Sequence, residues 1–156
     1  MVVRRLSESD AEALWHLRLS ALETDPQAFA ETAEHHRGTP VAVYAARLGS
    51  AEPGNAVFGA FEDEQLTGMV GIYPDPAHAR AGRIWGMFVL PERRASGAGR
   101  ALLEGILAYA KARGWFNSVR LEVAETQEAA RKLYRRCGFQ PAGAGAHGGE
   151  EMLLES

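Results

Sequence analysis

The sequence predicts one mixed α/β domain, and three observations predict it. The chain has 156 residues, 46% of them hydrophobic, enough for one buried core and too few for two. Helical stripes and strand-like runs follow one another with no linker and no internal repeat. An apolar run at residues 84–90 passes through a small-residue turn into a helical stripe, the order of a strand-to-helix crossover.

Each element has its own signal. Ala11, Leu14, Trp15, Ala21 and Leu22 lie near helical spacing, and Ser9 with Glu12 three residues on reads as a capping box. A helix is therefore expected over about residues 10–23. Asp25-Pro26 looks like an N-cap followed by proline at the first helical position, predicting a second helix through about His35. Thr39-Pro40 repeats the signal, and Val41, Tyr44, Ala45 and Leu48 keep the i, i+3, i+4, i+7 rhythm up to Gly49. A strand stays open there, because Val and Tyr favour one. Residues 51–55 read as a turn. The apolar runs 56–61 and 66–73, joined by Glu62-Asp63-Glu64-Gln65, read as a hairpin. Residues 75–82 are a loop, and Pro91 stops the buried strand at 84–90.

Leu102, Leu103, Ile106, Leu107 and Ala110 form the strongest helical stripe, closed by Gly114. Val119, Leu121 and Val123 alternate with Arg120 and Glu122, which makes a strand. Thr126 is placed to cap a last helix facing inward through Ala130, Leu133, Tyr134 and Cys137 and ending at Gly138. Residues 139–142 and 150–154 are closing strands joined by a Gly/Ala loop at 143–149.

Composition excludes several classes. No run approaches the ~20 apolar residues of a membrane span. Arg4 and Arg5 are not followed by an apolar stretch, so no secretory signal is expected. A single cysteine, Cys137, leaves no internal disulfide and too few ligands for a Cys-based zinc site. His35-His36 does not make a metal pair, since adjacent helical residues point roughly 100° apart. A cytoplasmic protein without metal is expected. The net charge of -3 argues against nucleic acid as a partner. Residues 1–82 carry 12 acidic and 6 basic side chains, whereas 83–156 carry 8 and 11. A negative half suits a cationic ligand and a positive half an anionic one, although scatter over a solvated surface fits as well.

The chemistry is concentrated at Arg94-Ala95-Ser96-Gly97-Ala98-Gly99-Arg100. A buried strand ends, small residues follow, and a helix begins at once. Its first N–H groups have no partner within the helix and sit at the positive end of the dipole. Gly97 and Gly99 leave the backbone open to close approach, so the turn can cradle phosphate, with Arg94 and Arg100 as cationic donors beside it. An ordinary tight strand-to-helix turn has the same glycine spacing. A Walker loop would need a Gly-Lys-Ser/Thr, and no lysine is present; a Rossmann loop would lie early in the chain with three spaced glycines.

A second constellation follows, Leu133-Tyr134 and Gly138-Phe139. Together the two resemble the GNAT superfamily of acyl-CoA-dependent N-acetyltransferases, whose Arg/Gln-x-x-Gly-x-Gly/Ala motif is matched by residues 94–99. The opening Arg18-Leu19-Ser20-Ala21-Leu22 and Asp25-Pro26-Gln27-Ala28-Phe29 resemble the same family less specifically. Ala95 stands where the family usually has glycine, and Gln127 where it often has asparagine on the cofactor. The resemblance implies a single domain over 1–156, a mixed sheet of six to seven strands and helices on both faces. About 83–142 would be the acetyl-CoA core and about 1–50 the substrate side.

The resemblance also implies a mechanism. Acetyl-CoA would lie with its pyrophosphate on the 94–99 backbone and its pantetheine arm along the strand at Phe88 and Val89. Backbone groups there would polarise the thioester carbonyl. Tyr134 would protonate the departing thiolate, while a primary amine of a small molecule or peptide attacks directly in a ternary complex. The base is not evident: Glu122 is the nearest strand carboxylate, with Glu62, Asp75, His78 and a water chain as alternatives. Arg18, Trp15, Tyr73 and Trp85 are candidates to line the acceptor side. Terminal strands in that family often pair across dimers, so a homodimer is allowed for. A catalytically silent acyl-CoA-binding module of the same fold is the alternative, and a nucleotide-binding protein a third.

Overall fold

In the computed structural model, which describes residues 1–50 and 52–155, seven strands and five α-helices form one mixed sheet with helices on both faces. In chain order these are β1 (Val2–Arg5), α1 (Ala11–Thr24), α2 (Ala33–Arg37), α3 (Val41–Gly49), β2 (Ala56–Glu62), β3 (Gln65–Pro74) and β4 (Ala81–Val89). There follow α4 (Ala98–Ala112), β5 (Ser118–Val123), α5 (Glu128–Arg136), β6 (Gln140–Ala144) and β7 (Glu150–Glu155). The sheet order is β1-β2-β3-β4-β5-β7-β6. Among the described residues no helix is long and apolar enough to cross a membrane.

The core has two layers. On one face the α4 stripe Leu102, Leu103 and Ile106 is fully buried against Phe58, Val70, Ile84 and Leu121. On the other, Leu14, Leu17 and Tyr44 of α1 and α3 cover Leu66, Met69 and Phe88. Strand β4 feeds both layers, Ile84 to the first and Phe88 to the second, which is why its sequence is apolar at successive positions.

What positions the site is how β4 leaves the sheet. It pairs in parallel with β5 only from Ala81 to Arg83, against Ser118 to Arg120. On its other side Trp85 faces Gly71 and Phe88 faces Met69, so β4 carries one extra residue, a bulge. Gly86 takes it up at φ 68°, a left-handed conformation that a side chain resists. Strands β4 and β5 therefore part above Arg83, and among the described residues the edge of β4 facing β5 has no strand partner from Ile84 onward.

Several local expectations are corrected. The N-terminal strand β1, paired with β2 at Val3↔Ala60, has four residues and no readable alternation. The capping box is made by Ser7 and Asp10 rather than by Ser9 and Glu12, and it opens a 3-10 turn at Glu8–Asp10 that leads into α1, with the Ser7 N–H donating to the Asp10 carboxylate at 2.8 Å. The expected helix from Pro26 to His35 is two pieces, a 3-10 turn at Pro26–Ala28 and α2, separated by an extended Phe29. Thr32 caps the second piece by accepting from the His35 N–H at 3.1 Å, and Asp25 does not cap at all because its carboxylate is spent on Arg94. Helix α5 begins after Gln127 without a side-chain cap from Thr126. The hairpin closes through Asp63 and Glu64 alone, both at positive φ, so β2 and β3 reach Glu62 and Gln65. In the turn expected at 51–55, the Asn55 N–H meets the Glu52 carbonyl at 3.4 Å and Gly54 has φ 91°; Ala51 lies outside the described residues.

Candidate active site

The parting of β4 and β5 opens two clefts joined by a throat. The first cleft, about 470 Å³, runs from Met87, Phe88 and Val89 along the glycine turn to Gln127 and Leu133. The second, about 700 Å³, lies between Arg18, Glu31, Tyr73, Trp85, Glu122 and His147. The throat is lined by Trp85, Gly86 and Glu122 of the second cleft and by Met87, Gln127 and Ala130 of the first, with Tyr134 at its wall.

The first cleft is a donor surface. The N–H groups of Ser96, Gly97, Ala98, Gly99 and Arg100 make no hydrogen bond among the described residues, and the first turn of α4 closes only with Ala101 N–H on the Gly97 carbonyl. Gly97 has φ 87° and open space where a Cβ would stand, so the backbone itself is the surface a ligand meets. Gly99 lies under α5, where a Cβ would come within 3.3 Å of Leu133. The Arg94 guanidinium donates from Nε to the Val89 carbonyl at 2.9 Å and pairs with Asp25 at 2.6 Å, which fixes its direction along the cleft. Among the described residues Arg100 has only an exposed pairing with Glu104 at 3.5 Å. Ser96 is turned away, donating to the Arg93 carbonyl. Sequence reasoning missed Arg93, Arg136 and Asp25 in this cleft; only folding brings Asp25 beside Arg94.

Ala95 sits at φ 64°. Left-handed backbone costs an L residue with a Cβ about 1 kcal/mol or more, so the departure from glycine at this position is strained. Ala95→Gly is expected to stabilise the fold by about 0.5 kcal/mol, part of the relief being offset by the greater freedom of the unfolded chain. A rise of ~1–2 °C in Tm checks it, and a fall would mean that the Ala95 methyl packs usefully.

Tyr134 is 6% exposed, its ring packed edge-on to Phe139 with centroids 5.9 Å apart. Burial pushes its hydroxyl well above the ordinary phenol range, so it is protonated throughout the neutral region. Glu122 is held differently. Its carboxylate accepts from the His147 N–H at 3.0 Å and the Gly149 N–H at 2.9 Å, and His147 Nδ1 lies 3.2 Å away. Burial works to raise its pKa, but these donors outweigh burial and leave it below the usual carboxylate range. The Gly/Ala loop is glycine-rich for this reason: a Cβ at Gly149 would strike the Val123 carbonyl at 2.5 Å, and one at Gly145 would overlap Glu122.

Of the residues expected on the second cleft, Arg18, Tyr73 and Trp85 line it. Trp15 does not: its indole N–H donates to the Thr39 carbonyl at 2.7 Å and its ring lies on His36, 4.7 Å between centroids. His36 is fully buried between the Trp15 carbonyl and the Tyr44 hydroxyl, while exposed His35 faces Glu31. Asp75 and His78 line a separate depression with Trp115 and Phe116, and Glu62 sits at the hairpin end. Glu31, which accepts from Arg18 at 3.2 Å and lies 2.8 Å from His35 Nδ1, was not foreseen. Nor was His147; the loop carrying it reads as a bare connection.

Comparison with known proteins shows the family and the fold. The family model described as Acetyltransferase (GNAT) family matches residues 12–139. Human N-acetyltransferase 8 is 31% identical over 96 residues, 60% of this chain; the match spans 42% of that longer relative. The fold is similar to a GNAT acetyltransferase from Streptococcus pneumoniae, with TM-score 0.78, 20% identity and 99% of both chains covered. It is also similar to PaiA N-acetyltransferase from Thermoplasma acidophilum, solved in complex with coenzyme A, with TM-score 0.76, 21% identity and 99% and 98% coverage. A ribosomal-protein-alanine N-acetyltransferase from Brucella melitensis gives TM-score 0.76 at 19% identity over the full length of both. The family model spans 128 of the 156 residues and takes in β4, the glycine turn and α5, and the chain belongs to the acetyltransferase (GNAT) family.

Proposed function

We propose that the chain transfers an acetyl group from acetyl-CoA to a primary amine of a small molecule or peptide, by direct attack in a ternary complex. The observation that carries the reading is the throat: it joins a cleft of unpaired N–H donors to an acid-lined cleft, with Tyr134 in its wall. The turn at 95–100 has the donors and the open backbone that a diphosphate needs, and Arg94 adds charge. The edge of β4 that faces β5 has no strand partner among the described residues beyond Arg83 and offers backbone groups to an amide-bearing arm lying along it. Tyr134 gives the leaving sulfur its proton.

The second cleft favours a cationic acceptor. Arg18 is matched by Glu31, and Arg83 by Glu151 and Asp75, which leaves Glu122 and Glu125 in excess. Thiol release from acetyl-CoA across a panel of diamines, polyamines and peptide N-termini tests the reading. Release above background with at least one of them is expected. Binding of coenzyme A with no release from any would identify a silent acyl-CoA module. Arg94→Ala is expected to weaken coenzyme A about tenfold, the worth of one charge-assisted contact, and to change kcat at saturation less than threefold. Calorimetric titration measures the first and saturation kinetics the second; unchanged affinity would make Arg94 a partner of Asp25 alone.

A further inference from the structure

Direct attack needs a neutral amine, and an alkylamine is almost entirely protonated at neutral pH. The family motif supplies no base, and Glu122 is a poor one. Both its oxygens are engaged by the N–H groups of His147 and Gly149, and its pKa lies below the carboxylate range. An ionised carboxylate accepts only, so the imidazole nitrogen 3.2 Å from it, Nδ1 of His147, must carry the proton. In the neutral ring the lone pair then sits on Nε2, and nothing among the described residues engages it. The His147 side chain is two-thirds exposed on the wall of the acid-lined cleft. A base held by an orienting carboxylate, on the cleft that opens through the throat to Tyr134, is the arrangement proton abstraction requires.

We propose that His147 is the general base of the acetyl transfer, accepting the ammonium proton at Nε2 while Glu122 orients the ring through Nδ1. The inference rests on the acetyl-transfer reading above. One ammonium proton passes to Nε2 and from the exposed ring to solvent. The freed lone pair forms the C–N bond to the thioester carbonyl carbon. The C–S bond breaks with its electron pair on sulfur, which takes a proton from Tyr134. The second nitrogen proton, lost as the amide forms, restores the phenol, so one proton is released in all. Charged groups on the cleft around His147 are Glu122 from β5, Glu125 after it, Arg83 from β4, Arg18 from α1 and Glu31 ahead of α2. Both arginines are paired, Arg18 with Glu31 and Arg83 with Glu151.

The test compares wild type, His147→Gln and Glu122→Gln with the best amine of the panel, as kcat/KM against pH. His147→Gln is expected to lose about 100-fold near neutral pH with coenzyme A affinity and Tm unchanged. The deficit should then shrink about tenfold per pH unit as pH rises, because the amine's own neutral fraction replaces the base. Glu122→Gln should lose less, and its acid limb should move. A wild-type profile in His147→Gln, or a loss equal at every pH, overturns the base assignment. A wild type that binds coenzyme A but acetylates no amine overturns the acetyl-transfer reading instead.

Discussion

Replacing Tyr134 with phenylalanine is expected to lower kcat by about 10²–10³-fold while coenzyme A binds as before. The magnitude follows from what is removed. The ring is buried and packed on Phe139, and no hydrogen bond among the described residues holds the hydroxyl, so phenylalanine fills the same space. Stability should change by less than about 1 kcal/mol, which leaves lost proton donation as the whole effect. Burial raises the phenol's pKa, so the proton is present at every pH at which an amine acceptor is usefully neutral, and Tyr134 adds no alkaline limb to the profile. Steady-state kinetics with saturating acetyl-CoA measure the drop. Wild-type turnover in the variant would mean that solvent protonates the thiolate and that Tyr134 only packs.

The parts of this site that sequence made legible are those whose cause is local. Leu102, Leu103 and Ile106 repeat at helical spacing because one face of α4 is buried. Gly97 suits a turn at φ 87°, and Gly99 suits a close approach, since a Cβ there would come within 3.3 Å of Leu133. Val119, Leu121 and Val123 alternate because β5 has one covered face. Long-range partnerships left no such trace. Asp25 sits in a pattern that suits an N-cap, and only the folded chain brings it 2.6 Å from Arg94. The bulge that parts the strands is one glycine, Gly86, in an apolar run that reads equally well unbroken. His147 gains its meaning from Glu122, 25 residues away on another strand. The cofactor side could thus be read from a contiguous motif, whereas the acceptor side is assembled from β3, β4, β5, the β6–β7 loop and the segment ahead of α2.

Removing the Glu151 carboxylate is expected to cost about 3 kcal/mol of stability, a fall of roughly 6–12 °C in Tm for a domain of this size. Glu151 grips Arg83 through two hydrogen bonds of 2.6 and 2.8 Å, and Arg120 reaches it at 3.4 Å; Asp75 also accepts from Nη1 of Arg83, at 3.2 Å. Arg83 and Arg120 face each other across the last rung that β4 shares with β5, so this cluster locks the strands where they begin to part. In Glu151→Ala both arginines lose their strongest partner at a half-buried position, and Asp75 alone cannot compensate them. Acid discriminates this from ordinary packing loss. The hydrogen bonds from Arg83 hold Glu151 below its ordinary pKa, and for Asp75 the Ala77 N–H and Arg83 outweigh the opposing effect of burial. Groups lowered by folding contribute fully above the unfolded carboxylate value near 4 and lose that contribution as pH falls through the folded values. The Tm gap between wild type and Glu151→Ala should therefore be constant from about pH 8 to 5 and narrow below about pH 4. A gap that persists undiminished in acid would mean that the side chain's packing, rather than its charge, clamps the strands at the base of the throat.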